Sequence, residues 1–135
     1  MRTGEHGNVS IEFIAISLFL LIPICYLAVS ALSVAQTFLT LTGAARTGAR
    51  VFVIAENDVT AKQSASQVIR EQLKIGQLEP AKISTNFTCT ENPCLTPNGF
   101  VTVTMKASQS VVLPLLKPIT VALSSSQTIE VDAIR

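Results

Sequence analysis

Charge is scarce in this chain. Of its 135 residues, 10 are Lys or Arg and 9 are Asp or Glu, a formal net charge of +1. So dilute and balanced a set gives no electrostatic footprint for nucleic acid, which calls for a basic face or stripe. Histidine is nearly missing: His6 stands alone near the N-terminus, far from Cys25, Cys89 and Cys94, so no His and Cys ligand set for a metal can be assembled. There is no phosphate-cradling glycine loop, no His paired with a carboxylate and no nucleophile elbow. Glu56, Asp58, Glu71, Glu79, Glu91, Glu130 and Asp132 are scattered and read as solvated surface. The expectation is therefore no enzyme, no cofactor, no metal and no small-molecule substrate. Tryptophan is absent, and the C-terminal part is rich in Thr, Ser, Val and Ile. Such a composition suits a small β-containing domain outside the cytoplasm.

What the chain has instead is one long apolar run. From Phe13 to Ala45 no side chain is charged, and this exceeds the roughly 20 residues a helix needs to cross a bilayer. Residues 8–56 read as one continuous helix, membrane-embedded in its first half and amphipathic in its second. Val34, Phe38, Leu41, Ala45, Ala49 and Phe52 recur at steps of three and four, with Gln36, Thr40, Arg46, Thr47 and Arg50 mostly opposite. At about 1.5 Å per residue the helix spans about 70 Å, more than twice a hydrocarbon core of roughly 30 Å, so it must protrude.

Residues 57–135 follow as an extracytoplasmic α+β domain. A second helix starts with Asp58 or Thr60 as N-cap, Thr60-Ala61-Lys62-Gln63 fitting a capping box, and ends at Gly76. Ala61, Ala65, Val68, Ile69 and Leu73 supply its apolar arc. The period then drops to two, at Ile83, Thr85, Phe87 and Cys89, at Val101, Val103 and Met105, and at Val121, Leu123, Ile129 and Val131. Pro93, Pro97 and Asn98-Gly99 mark one turn; Pro114 and Pro118, around Leu113, Leu115 and Leu116, mark another. About three antiparallel strands are expected, with one face against the helices and one wet. Cys89 and Cys94 lie close together in a polar segment and read as a short-loop disulfide formed in an oxidising compartment, the alternative being two free thiols. Cys25 reads as a small apolar helix residue.

The N-terminus carries the sharpest motif. In Gly7-Asn8-Val9-Ser10-Ile11-Glu12-Phe13, a glycine precedes a potential new amino terminus at Asn8, and Glu12 becomes the fifth residue. This resembles the precursors of type IV pilins, which a membrane-embedded peptidase cuts after the glycine. Glycine suits such a cut because it leaves the backbone unobstructed. Glu12 would cost about 2.5–3.5 kcal/mol at the centre of a membrane and less near its edge. Together with the apolar run broken by Pro23 and the ending Gly43-Ala44-Ala45-Arg46-Thr47-Gly48-Ala49-Arg50, it resembles the TadE-like family, minor pilins or pseudopilins of the tight-adherence (Flp, type IVc) pilus.

The resemblance covers roughly the first fifty residues. It implies an α+β, membrane-anchored, pilin-like fold with a leader at residues 1–7 and cleavage between Gly7 and Asn8 by a prepilin peptidase. It implies single-pass insertion in the bacterial cytoplasmic membrane, N-terminus inside. The partners it implies are the lipid bilayer, other pilins or pseudopilins and the Tad assembly-platform proteins. Glu12 would then meet the amino terminus of a neighbouring subunit and set axial register, a known use of buried charge. Asn8 stands where many pilins have Phe, often N-methylated, so methylation is not carried over. Pro23 removes the hydrogen bond to the Phe19 carbonyl and is read either as a kink or local stretch used in a filament, or as a proline tolerated in lipid. Gly43, Ala44, Ala45, Gly48 and Ala49 permit close packing, first against the protein's own β part and second between subunits.

Two rivals compete. Ser33-Val34-Ala35 before Gln36 satisfies the small-x-small rule of signal peptidase, although the apolar region exceeds an h-region of about 7–15 residues. An uncleaved signal anchor carrying an envelope binding module, unrelated to pili, is the other.

Overall fold

Without a charge or a glycine before Gly43 to interrupt it, the apolar run winds into a single helix. The computed structural model describes residues 9–112 and 117–132. Helix α1 covers Val9–Ile54, about 70 Å long. Helix α2 covers Asp58–Ile75, and a 3-10 turn at Pro80–Lys82 leads into strands β1 (Ile83–Cys89), β2 (Phe100–Val111) and β3 (Ile119–Glu130). The strands form one antiparallel sheet in the order β1-β2-β3, with Phe87 opposite Val103 and Met105 opposite Ser125. The expected layout of long helix, second helix and three-stranded sheet is what the chain adopts. Leu113, Pro114, Leu115 and Leu116, which mark the second turn, lie outside the described residues.

The C-terminal half of α1 is the spine of the head. Thr37, Leu41, Ala44, Ala45, Gly48, Ala49 and Phe52 are buried, a stripe at steps of three and four. Phe38, expected on that face, is 43% exposed, although Ala45 and Ala49, which bracket it in azimuth further along the helix, are buried. Leu41, Ala44, Ala45 and Ala49 pack with Ile69 and Leu73 of α2 and with Val103 and Met105 of β2. A second cluster, Phe52, Ala61, Ala65, Val101 and Val131, closes the far end, with the Phe52 and Phe87 rings stacked at 5.4 Å. The small residues of the Gly-Ala-Ala segment therefore pack inside the head, against α2 as well as the sheet. Arg46 and Arg50 point outward.

Of the two caps of α2, the C-cap falls at Gly76 as expected and the N-cap differs. The N-cap is Asn57, not Asp58 or Thr60: its Oδ1 accepts from the N–H and from the hydroxyl of Thr60, both at 2.9 Å. Asn57 has the extended backbone an N-cap requires, and Thr60 falls three residues on, where the orphan N–H sits. At the other end Gly76 is the C-cap but has φ −76°, and the left-handed residue is Gln77 at φ 58°. The Leu78 N–H reaches the Leu73 carbonyl and the Gln77 N–H that of Lys74, the paired bonds of a Schellman ending. Glycine is needed at 76 for another reason, since a Cβ there would collide with the Thr40 side chain of α1.

Two glycines of α1 respond oppositely to a side chain. A Cβ at Gly48 would lie 2.5 Å from Cδ1 of Ile69, which is 2% exposed and would have to shift, whereas nothing lies within 4 Å at Gly43. Gly48→Val is expected to destabilise the head by about 1–3 kcal/mol through overpacking. Gly43→Ala should stabilise it by about 1 kcal/mol through helix propensity. Thermal unfolding of the detergent-solubilised chain by circular dichroism measures both.

Candidate functional site

Over residues 11–22 every side chain of α1 is exposed. Phe13 is 71% and Phe19 79% exposed, and Leu18, Phe19, Leu20, Leu21 and Ile22 are all exposed in succession. Five consecutive residues at 100° steps cover every side of a helix, so no side of this segment is packed. A helix that is apolar all round requires apolar surroundings all round. By length and composition α1 is able to cross a membrane.

Glu12 lies in the first turn, the only charged residue of the helix before Arg46. Its carboxylate is exposed, is favoured there by the helix dipole, and has no ion-pair partner among the described residues. Pro23 sits inside α1, which stays continuous through it, leaving the Phe19 carbonyl without its usual donor. Gly7 and Asn8, the expected cleavage residues, lie outside the described residues.

Polar side chains fasten the head to the helix. Thr42 donates to the Phe38 carbonyl at 2.9 Å and meets the Ser125 hydroxyl at 3.0 Å. Its single proton being committed to the carbonyl, Ser125 is the donor to Thr42. Ser125 is buried at the centre of β3. Nearer the apolar segment, Gln109 Nε2 of β2 donates to Ser33 Oγ at 2.8 Å, while Gln109 Oε1 is buried without a protein partner. Beside it a cavity of about 440 Å³ opens between Gln36, Gln77, Glu79, Lys82 and Ser108. Its polar walls suit water, which would satisfy that oxygen. These polar partners were hidden in the sequence, although Gln109 keeps the alternation of Val101, Val103 and Met105, and Ser125 that of Leu123 and Ile129. The phase identified inward positions that composition alone did not.

At the opposite end of the head, Cys89 and Cys94 form a disulfide with Cα atoms 5.3 Å apart. Asp58 holds the loop from outside, its Oδ2 accepting from the Cys94 N–H at 3.0 Å. Asn98, at φ 63°, donates its N–H to the Val131 carbonyl, and Val131 donates to Gly99, so the loop also ties the end of β3. Cys25 is free and exposed on the apolar segment. Among the described residues no three His, Cys, Asp or Glu side chains gather as a cation site.

Neither protein-family models nor curated proteins match the sequence, and no solved structure matches the fold.

The disulfide closes a very short loop, so replacing Cys89 and Cys94 together by Ser should cost about 2 kcal/mol of stability. Asp58→Ala in the oxidised chain should cost about 1 kcal/mol, the value of one side-chain-to-backbone bond. Chemical denaturation with and without reductant measures both, and the double Cys variant should become insensitive to reductant.

Proposed function

We propose that the chain is a minor pilin or pseudopilin of TadE-like type, a membrane-anchored subunit that a prepilin peptidase cuts between Gly7 and Asn8. It then takes part, through α1, in assembly of a tight-adherence (Flp, type IVc) pilus used for surface attachment. The observation that carries this reading is the dual character of α1: a single helix is exposed and apolar on all sides over residues 13–22, has only the end of β2 beside it at Tyr26, Val29 and Ser30, and then becomes the buried spine of an α+β head. Anchor and fold are one element, as the layout of a pilin demands.

The lengths agree with this reading. From Phe13 to Leu32 is about 20 residues, or about 30 Å of helix, one hydrocarbon core. The first side chain fastened to the head is the next one, Ser33. In the bilayer lipid covers the apolar segment; in a filament the same surface is covered by the anchors of other subunits. Glu12 then has two settings. At the cytoplasmic edge it stays hydrated, and within a packed filament it takes the new amino terminus of Asn8 on a neighbour as counter-charge, so that one axial offset is favoured. Nothing in this role asks for catalysis or for a cofactor.

Signal peptidase processing after Ala35 is the main competitor. Against it, Gln109 is bonded to Ser33, and Tyr26, Val29 and Ser30 adjoin the end of β2. The head thus holds residues that this cut would remove.

Sequencing the N-terminus of the protein from membranes separates the readings. A start at Asn8 is expected; a start at Gln36 or Met1 overturns the pilin reading in favour of a secreted protein or a plain signal anchor. Gly7→Leu should leave full-length precursor. Glu12→Ala should be processed normally yet be missing from sheared pili, and pili of normal yield and composition from that variant would remove the register role of Glu12.

A further inference from the structure

We propose that the head binds a second copy of this chain end to flank, the carboxylates at the disulfide end of one copy docking on Arg46 and Arg50 of the next. This deepens the assembly reading above, and rests on it for the parallel alignment of the copies.

The flank is defined by what already touches α1. Thr42 meets Ser125 of β3, and Gly48 abuts Ile69 of α2. At about 100° per residue, Gly48 lies about 120° from Thr42 in one sense, while Arg46 and Arg50 lie about 40° and about 80° from it in the other. Both arginines are therefore on the side of α1 away from α2, beyond β3, which is an edge strand. Both are exposed, and neither has an ion pair among the described residues. After Glu12, α1 has no acidic residue to answer them. Leu39, Gly43 and Ile54 share this flank, at about 60°, about 100° and about 120° from Thr42. Leu39 is 68% and Ile54 74% exposed, and the space over Gly43 is open. The flank offers two bare guanidiniums in an apolar setting, with room for close approach.

The same chain carries the complement. Glu71 and Glu79 are paired with Lys74 and Lys82, and Asp58 accepts from the Cys94 N–H. The other carboxylates of the head, Glu56, Glu91, Glu130 and Asp132, are exposed and have no ion pair among the described residues. Scattered in sequence, they come together at the disulfide end. Glu91 lies beside Gly99, whose carbonyl accepts from the Val131 N–H, and Glu130 and Asp132 flank Val131. Glu56 follows the end of α1, where Phe52 packs with Val131. Phe100, opposite Glu130 and 43% exposed, adds apolar surface that suits Leu39 and Ile54. The outward side of α2 is not the complement, because Lys62, Arg70 and Lys74 outnumber Glu71 there. The acidic end lies at the level of Phe52 and beyond, so a parallel copy set about 10 Å lower along the helix axis, roughly two turns, brings its end beside the arginines. Guanidinium forks match carboxylates in geometry as well as charge, which makes such a contact directional. End and flank are different surfaces, so each bound copy leaves one of each free and the contact can propagate along a filament.

Sedimentation of the full chain in detergent tests this. The wild type should self-associate, and less so as salt is raised. Arg46→Glu with Arg50→Glu, and separately Glu130→Arg with Asp132→Arg, should each self-associate roughly tenfold more weakly. All four side chains are exposed, so both variants should keep the fold. An equimolar mixture of the two variants restores opposite charges across the contact and should recover the wild-type association. A mixture that does not recover it would overturn the pairing, and so would a wild type that stays monomeric. Association that neither reversal weakens would belong to the anchors, overturning the head contact while leaving the assembly reading intact. That reading fails separately, on an N-terminus at Met1 or Gln36 in membranes.

Discussion

One helix has to satisfy two surroundings, and the rest of the fold follows from that. Up to Leu32, α1 presents mostly aliphatic and aromatic side chains on every side, and among the described residues of the head only the end of β2, beside Tyr26, Val29 and Ser30, approaches them. From Thr37 onward the same helix has a narrow buried stripe of Leu41, Ala44, Ala45, Gly48, Ala49 and Phe52 with Arg46 and Arg50 outside it. The change of character needs no break in the backbone. It needs only that the side chains change from apolar all round to apolar on one stripe, which is why α1 runs uninterrupted through both halves.

A spine of that kind constrains what packs on it. Because the stripe is built mostly from Ala and Gly, α2 and the sheet come close to the α1 backbone, and bulk is supplied by the partners: Ile69 and Leu73 from α2, Val103 and Met105 from β2. The same closeness decides details at a distance. Gly76 is glycine because Thr40 occupies the space a Cβ would take, so the left-handed residue of the helix ending passes to Gln77. A side chain there costs about 1 kcal/mol relative to glycine. The paired hydrogen bonds of the ending and the packing of Leu78 on the core offset it.

Much of this was legible in the sequence because it depends on period. A charge-free run of Phe13–Ala45, an arc at Ala61, Ala65, Ile69 and Leu73, and alternation at Val101, Val103 and Met105 each name an element and its buried side. What escaped depended on partners brought together by the fold. Asp58 has the composition of an N-cap, yet Asn57 has the extended backbone, and the freed carboxylate takes the Cys94 N–H across 36 residues. Ser125 and Gln109 keep the inward phase of their strands but are polar, and only the approach of Thr42 and Ser33 shows that their partners lie on α1. Phe38 escaped because period gives the azimuth of a side chain and not how completely the head covers each level of the helix. For the apolar segment the position was different. Its type and length were plain, but that residues 11–22 stay exposed is a property of topology, which period does not report.

Placing polar groups at the two fastenings has a physical consequence. An all-apolar interface between sheet and α1 would tolerate sliding by a residue or two, since aliphatic surfaces are non-directional. Ser125 to Thr42 and Gln109 to Ser33 are directional and separated along both the helix and the strands, and the first is partly shielded from water. Moving the sheet along α1 would break both and leave Ser125, already buried, without a partner; such a group costs about 1–3 kcal/mol. The pair therefore fixes the height of the sheet on the helix. Since the helix is the element with an exposed apolar length of its own, fixing that height also fixes where β2 ends beside it. Three hydroxyls, those of Ser33, Thr42 and Ser125, and the Gln109 amide thus set the level of the sheet on the helix.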